Sequence, residues 1–396
     1  MKKYIVATLL MLNLILIGNV FGQKFSMSIE NIMRDPKWMG TLPDNIYWSE
    51  DGLKIYFTWN RTKAKTDSLF SYSIKEGEIK PVTVEEIKNL PSDYGTYNRK
   101  KTLKIFEKNG DLFILDLKTG IQKQLVNTND RESNPKFSFD EKKIIYTLNG
   151  NLYERTLSDG TTVQLTDFHK GAKPQDQKEI AGEQQKYLSK EELSLFAVLR
   201  ERKEERERRE KAAKQIRPKR PKEIYTLDKN VNSIQISPDE NFITFRLDKT
   251  PKSSNNTIVP NYLTERGYTE DISARTKVGG EPTTYEFGIY DIKRDTVYFL
   301  DTKSLPGIFE KPKYRGEYES KTDSLKKGPG KEKAREVIFS GPVYSDDGAN
   351  ALMVIKTLDN KDRWITLLDL AEGKLKNLDR QHDDEWIGGP GIGWGA

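Results

Sequence analysis

Four times the chain writes Ser-x-Asp followed by Gly or Glu: Ser49-Glu50-Asp51-Gly52, Ser138-Phe139-Asp140-Glu141, Ser237-Pro238-Asp239-Glu240 and Ser345-Asp346-Asp347-Gly348. Each copy follows an aromatic or apolar residue and precedes a β-rich run, such as Leu53 to Trp59, Phe242 to Leu247 or Ala351 to Lys356. Serine and aspartate side chains hydrogen-bond nearby backbone N–H groups in tight turns, so a turn role accounts for the recurrence. The clearest copy of the surrounding unit is Pro135 to Asp167, where Asn149-Gly150 and Asp159-Gly160 separate alternating runs. Such dipeptides mark hairpins because a type I′ turn needs positive φ at both central residues. The unit therefore reads as four antiparallel strands. A four-stranded unit returning about every 40 to 45 residues is the signature of a β-propeller, an all-β fold.

The register of that unit organises the rest of the chain. Blades one to three take residues 45–167, the second lacking the full Ser-x-Asp turn but keeping Asn109-Gly110 and Thr119-Gly120. Residues 168–230 break the pattern as a charged helical insertion. Within it, Ser189-Lys190-Glu191-Glu192 has the form of a capping box, followed by Leu193, Phe196, Ala197 and Leu199 at helical spacing. Beyond Arg200 the helix is almost wholly charged, with Glu204/Arg208, Glu205/Arg209, Glu207/Lys211 and Glu210/Lys214 at i,i+4, and it should stop before Pro218. Blade four takes 231–302, interrupted by a loop at 248–282; a Lys/Gly-rich connector covers 303–336; blade five takes 337–380. Residues 381–396, with Glu385-Trp386-Ile387-Gly388-Gly389, read as the start of a sixth blade that the chain does not complete.

The repeat register also sorts the loops by face. In a blade whose strands a to d run from axis to rim, a–b and c–d turns lie on one face, while b–c loops and d-to-a connectors lie on the other. The insertion at 168–230, the loop at 248–282 and the connector at 303–336 all fall on the second face. Recognition belongs more naturally there, since binding residues concentrate on loops held by a rigid scaffold.

Composition restricts the chemistry. The 396 residues include no cysteine, so disulfides, thiol catalysis and thiolate metal sites are excluded. Lys2-Lys3, the apolar run Tyr4 to Ile17 and the small residues before Gly22 and Gln23 describe a signal peptide over 1–22 cleaved near Gly22–Gln23. Residues 23–44 then form a lead segment holding a short helix, and the mature chain is expected to be exported, periplasmic or extracellular, without stable membrane insertion. Residues 200 to 220 hold eleven basic and five acidic residues, a surplus as large as the whole chain's net charge of +6. Alternating signs on a helix describe a solvated face rather than a nucleic-acid site.

The repeat, the charged helix after blade three, and above all Ile258-Val259-Pro260-Asn261-Tyr262, Gly267-Tyr268-Thr269-Glu270-Asp271 and Arg275-Thr276-Lys277-Val278-Gly279 resemble the N-terminal propeller of bacterial prolyl oligopeptidase family (S9) serine peptidases, dipeptidyl peptidase IV branch. The resemblance implies an exported exopeptidase whose propeller sits over an α/β-hydrolase domain and filters peptides towards it. It makes Tyr262, Tyr268, Glu270, Asp271 and Arg275 the candidate recognition loop. The partners it implies are a peptide substrate or a hydrolase domain, in the same polypeptide in full-length relatives, with homodimerisation of the full-length form left open.

The branch binds a substrate's α-amino group with paired glutamates in an Asp-Trp-x-x-Glu-Glu frame. Glu191-Glu192 occupies the corresponding insertion without the Asp-Trp frame. No Gly-x-Ser-x-Gly nucleophile elbow occurs in the sequence, and its two histidines, His169 and His382, both read as solvated loop residues. No catalytic residue, metal ligand set or cofactor is therefore assigned, and the chain alone is expected to be inactive. Two readings follow: the propeller part of an S9 dipeptidyl-peptidase-like enzyme, severed from its catalytic domain, or a freestanding TolB-like envelope propeller that binds proteins or peptides.

Overall fold

A computed structural model describes residues 28–29, 42–61, 66–174, 183–216, 220–251, 256–277, 280–310, 333–345 and 347–388. The expected signal peptide with its cleavage point at Gly22 and Gln23, most of the lead segment, most of the 303–336 connector and residues 389–396 lie outside the described residues. The chain divides into two compact units, Met1–Asp93 with Leu117–Gly120, and Tyr94–Asp116 with Ile121–Ala396.

The fold is all-β and propeller-like, with five four-stranded antiparallel sheets among the described residues. In the first unit, blade one comprises β1 (Asp44–Trp48), β2 (Lys54–Trp59), β3 (Ser68–Ser73) and β4 (Ile79–Pro81), followed by helix α1 (Val84–Asn89). Helix α1 opens on a capping box: Thr83 Oγ1 accepts from the Glu86 N–H at 3.2 Å, and Glu86 Oε2 accepts from the Thr83 N–H at 2.7 Å.

The second unit holds blade two, β5 (Thr96–Tyr97), β6 (Leu103–Lys108), β7 (Asp111–Asp116) and β8 (Gln122–Gln124), and blade three, β9 (Glu132–Phe137), β10 (Lys143–Leu148), β11 (Asn151–Thr156) and β12 (Thr162–Gln164). A parallel pair follows, β13 (Asp167–His169) with β14 (Glu223–Tyr225), spanned by helices α2 (Glu183–Leu195) and α3 (Ala197–Ile216). Blade four is β15 (Asn230–Ile236), β16 (Phe242–Lys249), β19 (Thr284–Asp291) and β20 (Thr296–Phe299), with a hairpin β17 (Asn256–Asn261) and β18 (Glu270–Thr276) set between its second and third strands. Blade five is β21 (Val337–Tyr344), β22 (Ala351–Thr357), β23 (Asp362–Asp369) and β24 (Lys374–His382).

The recurring turns do what their residues dictate. Ser49, Ser138, Ser237 and Ser345 each donate from Oγ to the aspartate two residues on, at 2.5–2.7 Å. Each Oγ also accepts the backbone N–H that opens the next strand, from Lys54, Lys143, Phe242 and Asn350, at 2.8–3.0 Å. Blade two reaches the same result with an amide: Asn98 Oδ1 accepts from the N–H groups of Thr102 and Leu103. The serine hydrogen bonds hold the carboxyls of Asp51, Asp140 and Asp347 below the ordinary range. At Asp239 partial burial pushes the other way, and the bonds from Ser237 and Asn241 outweigh it.

The fourth residue of each turn has positive φ, and in the second unit it touches the preceding blade. Glu141 accepts from the Arg99 N–H, Glu240 Oε2 pairs with Lys143 Nζ at 2.7 Å, and a Cβ on Gly348 would stand 2.6 Å from Pro238 Cβ. Glutamate is kept at two left-handed positions because its carboxylate latches neighbouring blades; glycine is required at Gly348 because no side chain fits. Asn149 and Gly150 both have positive φ, as a type I′ turn needs, whereas at Asp159-Gly160 only Gly160 does. That second loop closes through the Gly160 N–H to Thr156 O at 3.0 Å instead.

Side chains between consecutive blades form the core. On β10, Ile144 and Tyr146 pack with Ile105 and Leu112 of blade two, while Ile145 between them packs with Ile243 and Phe245 of blade four. Both faces of that strand are covered, so its sequence is a continuous apolar run rather than an alternation. A larger cluster joins Phe287 and Ile289 to Phe339, Met353, Ile355 and Trp364, and takes in Leu305 and Ile308, both buried. Residues 303–310 are therefore tied to the core through these two side chains. Each fully buried aliphatic or aromatic side chain contributes about 1.5–3 kcal/mol.

Three local expectations are corrected. Helix α2 already runs at Glu183, so Ser189-Lys190-Glu191-Glu192 lies inside it and caps nothing: the helix-forming run 183–188 carries the helix past the serine. The expected single helix is two, broken at Phe196, whose carbonyl accepts from both Leu199 and Arg200 N–H groups. Neither histidine is a loop residue, since His169 ends β13 and His382 ends β24. Among the described residues no strand follows β24; Ile387 N–H instead bonds back to Asn360 O at 2.8 Å.

Candidate functional site

The hairpin β17–β18 brings together the residues that carried the resemblance. Its register pairs Pro260 with Asp271 and Asn261 with Glu270, so both acidic residues sit at the mouth of the connecting loop. The loop is ordered by its own polar groups: Thr264 Oγ1 donates to Tyr268 O at 2.6 Å, and the Gly267 N–H bonds to Thr264 O at 3.1 Å. Tyr262 and Tyr268 are 74% and 79% exposed, and Glu270, Asp271 and Arg275 are also exposed. Asp271 and Arg275 lie on the same strand, whose register shifts between Ser273 and Thr276. On the strands, Val259 and Ile272 pair across the ladder and are half exposed, making an apolar strip beside the charged residues. Two tyrosines and flanking charges on a short hairpin form an amphipathic platform suited to a polar chain with apolar side chains.

The blade-four strand that precedes the hairpin, β16, ends in a polar clamp. Arg246 grips Asp248 with two bonds, Nε to Oδ1 at 2.7 Å and Nη2 to Oδ2 at 2.9 Å, and its Nη1 reaches Phe339 O of blade five at 3.2 Å. Asn232 Nδ2 donates to the same carboxylate at 2.8 Å. The hydrogen bonds to Asp248 keep the Arg246 guanidinium more firmly protonated than usual.

Beside blade four a cleft of about 490 Å³ runs between the inner strands β9 and β15. Both strands bulge there, with Asn134 and Ser233 at positive φ. The bulges turn amide and hydroxyl groups of Asn134, Asn232, Ser233 and Gln235 into the lining, alongside Lys136 and Glu240. Such a wall can hydrogen-bond a peptide backbone, and its Glu240 is paired with Lys143. Ser138 and Ser237, also at its edge, are committed to their turns.

The histidines face carboxylates rather than hydroxyls. His169 Nε2 lies 2.9 Å from Asp167 Oδ1, and His382 Nδ1 lies 3.0 Å from Asp362 Oδ1. Asp362, fully buried, also takes Arg335 Nη2 at 2.5 Å and Arg380 Nε at 2.9 Å. Burial pushes its carboxyl upward, yet the two guanidinium groups and His382 outweigh that and hold it below the ordinary range. This is a structural hub, since Arg335 also donates to Gly307 O and Trp364 Nε1 to Pro306 O.

Glu191 and Glu192 are exposed in the middle of α2. Successive helix positions diverge by about 100°, so the pair does not converge on one cation from the helix alone. Along α3, two of the expected ion pairs form, Glu204 with Arg208 and Glu205 with Arg209. Phe196, Val198 and Leu199 are exposed. No helix among the described residues is long and apolar enough to cross a membrane.

Residues 94–199 match the family model of the dipeptidyl peptidase IV (DPP IV) N-terminal region. The match bears out the resemblance over blades two and three and the first part of the insertion. It does not reach the 258–279 block on which the sequence likeness rests most. No curated protein matches the chain. Among solved structures, dipeptidyl peptidase 4 of Porphyromonas gingivalis aligns with a TM-score of 0.41 at 12% identity, over 91% of this chain and 43% of that one. A dipeptidyl aminopeptidase IV-like protein of Bacteroides ovatus aligns at 0.36 and 11% identity, over 87% and 38%. TolB of Acinetobacter baumannii aligns at 0.30 and 14% identity, over 83% and 53%. The chain thus spans less than half of either peptidase.

The hairpin and the bulged inner strands are what sequence reasoning missed. The 248–282 segment reads as a loop because Pro260 interrupts its first strand and the loop residues 262–269 are longer than a tight turn. The bulges leave no mark in residue type beyond Asn134, a residue that tolerates left-handed φ.

Proposed function

We propose that this chain is the substrate-recognition propeller of an exported dipeptidyl-peptidase-like S9 serine peptidase, holding peptides for an α/β-hydrolase domain. The hairpin carries the reading: Tyr262, Tyr268, Glu270, Asp271 and Arg275 stand exposed on a short, internally bonded platform. The match over residues 94–199 supports the class. In this reading the tyrosines stack on apolar side chains of the peptide, while Glu270 and Asp271 attract its cationic amino terminus. Glu191 and Glu192 supply further negative charge from the same face, as a secondary contribution.

The reading is tested by titrating fluorescent peptides with a free amino terminus, and their acetylated counterparts, against the chain. Tyr268→Ala and the double change Glu270→Gln/Asp271→Asn should each weaken binding of the free-amino peptides roughly tenfold or more, equivalent to about 1.4 kcal/mol. Acetylated peptides should lose the dependence on the acidic pair. Equal affinity for both peptide forms, unaltered by either variant, would overturn the assignment.

A further inference from the structure

The parallel pair β13–β14 sorts its residues by face. Phe168 and Ile224, paired in register, turn into the core, so Asp167, His169, Glu223 and Tyr225 are left together on the outer face. One donor atom each from Asp167, His169 and Glu223 lies within 4.8 Å of the other two. His169 Nε2 is sequestered from solvent and has no hydrogen-bond partner, although Asp167 Oδ1 is only 2.9 Å away. Two electron-pair donors held side by side outside hydrogen-bond geometry are arranged as neighbouring ligands of one ion are. At metal–ligand lengths near 2.1 Å, neighbouring ligands of a tetrahedral ion stand about 3.4 Å apart, so this pair has to spread by only about 0.5 Å to share one.

We propose that Asp167, His169 and Glu223 bind a divalent transition-metal ion, Zn²⁺ being the ion that one imidazole and two carboxylates suit best among those commonly available. Imidazole with carboxylates favours first-row metals over Mg²⁺ or Ca²⁺. The surrounding groups already orient the set. Tyr225 stacks on the His169 ring with centroids 5.3 Å apart, and its hydroxyl donates to Glu223 Oε2 at 3.0 Å, leaving Oε1 for the ion. Lys222 is turned away to Asp295 O.

The site's place gives it a role. Asp167 and His169 precede the helical insertion and Glu223 follows it, so one ion staples the two ends of residues 170–222. Hydrogen bonds already close that root, from Thr226 N–H to His169 O at 2.9 Å and between Gly171 and Leu227 in both directions. Metal binding would tighten the same closure and fix how the helices leave the propeller face.

The test uses the full chain stripped with chelator and titrated with ZnCl₂ by calorimetry, and with CoCl₂ by visible absorption. One equivalent of Zn²⁺ should bind, Co²⁺ should give a d–d band, and the Thr226 and Leu227 amides should exchange more slowly with metal present. Glu223→Gln and His169→Phe, the latter keeping a ring on Tyr225, should each weaken Zn²⁺ at least tenfold and abolish the exchange effect. His382→Gln should leave binding intact. No binding up to millimolar Zn²⁺, wild-type affinity in both site variants, or loss of binding in His382→Gln would each overturn the proposal.

Discussion

Replacing Asp362 with asparagine should destabilise blade five and the 301–310 segment together. The carboxylate is fully buried and is shared by Arg335, Arg380 and His382. Through Arg335 it reaches Gly307 O, and through Arg380 it reaches Glu310. Removing one partner of a buried ion pair costs about 3–5 kcal/mol, because the remaining charge loses its compensation. Arg335 keeps Asp359 at 3.6 Å and Arg380 keeps Glu310, so the lower end applies, about 3 kcal/mol. For a unit of this size each kcal/mol lowers the melting temperature by about 2–4 °C, giving a loss of about 6–12 °C by calorimetry. The double variant Asp362→Asn/His382→Gln should be less destabilised than the sum of the single changes, since the two side chains share one interaction. A loss below 2 °C, or strict additivity, would refute the hub.

Other outcomes follow from the turns. Gly348→Ala should cost about 1–3 kcal/mol in chemical denaturation, because the new Cβ meets Pro238 at φ +71°; Gly52→Ala, at similar φ but with open space, should cost only about 1 kcal/mol. Ser237→Ala removes an acceptor for the Phe242 N–H and a donor to Asp239, for a loss of about 1 kcal/mol or more. The carboxyls of Asp51, Asp140, Asp239, Asp347 and Asp362 are all lowered in the folded state, so each adds stability that is complete above the ordinary aspartate range and disappears as pH falls through the folded value. Denaturation midpoints should therefore drop as pH falls below the ordinary aspartate value of about 4, and Asp347→Asn should flatten part of that slope.

The blade pattern was legible because its turn residues act on their own neighbours: Ser237 and Asp239 bond within five residues, and no distant partner decides the outcome. Capping shows the limit of such reading. Thr83-Val84-Glu85-Glu86 and Ser189-Lys190-Glu191-Glu192 carry the same signature, but only the first follows a non-helical residue, and only it caps. The histidines were misplaced for a different reason. Asp362 and His382 are adjacent only because β23 pairs with β24, and Glu223 meets His169 only across the insertion. Pairings set by long-range register leave no local trace. The same holds for the hairpin platform, whose residues stood out in the sequence while its strands did not.

Recognition at the β17–β18 hairpin is most directly tested by hydrogen exchange across the whole chain, with and without a saturating free-amino peptide. Slowed exchange concentrated in residues 256–277, and lost in Tyr268→Ala, is the predicted result. Protection elsewhere with 256–277 unchanged, or no protection under saturation, would contradict it.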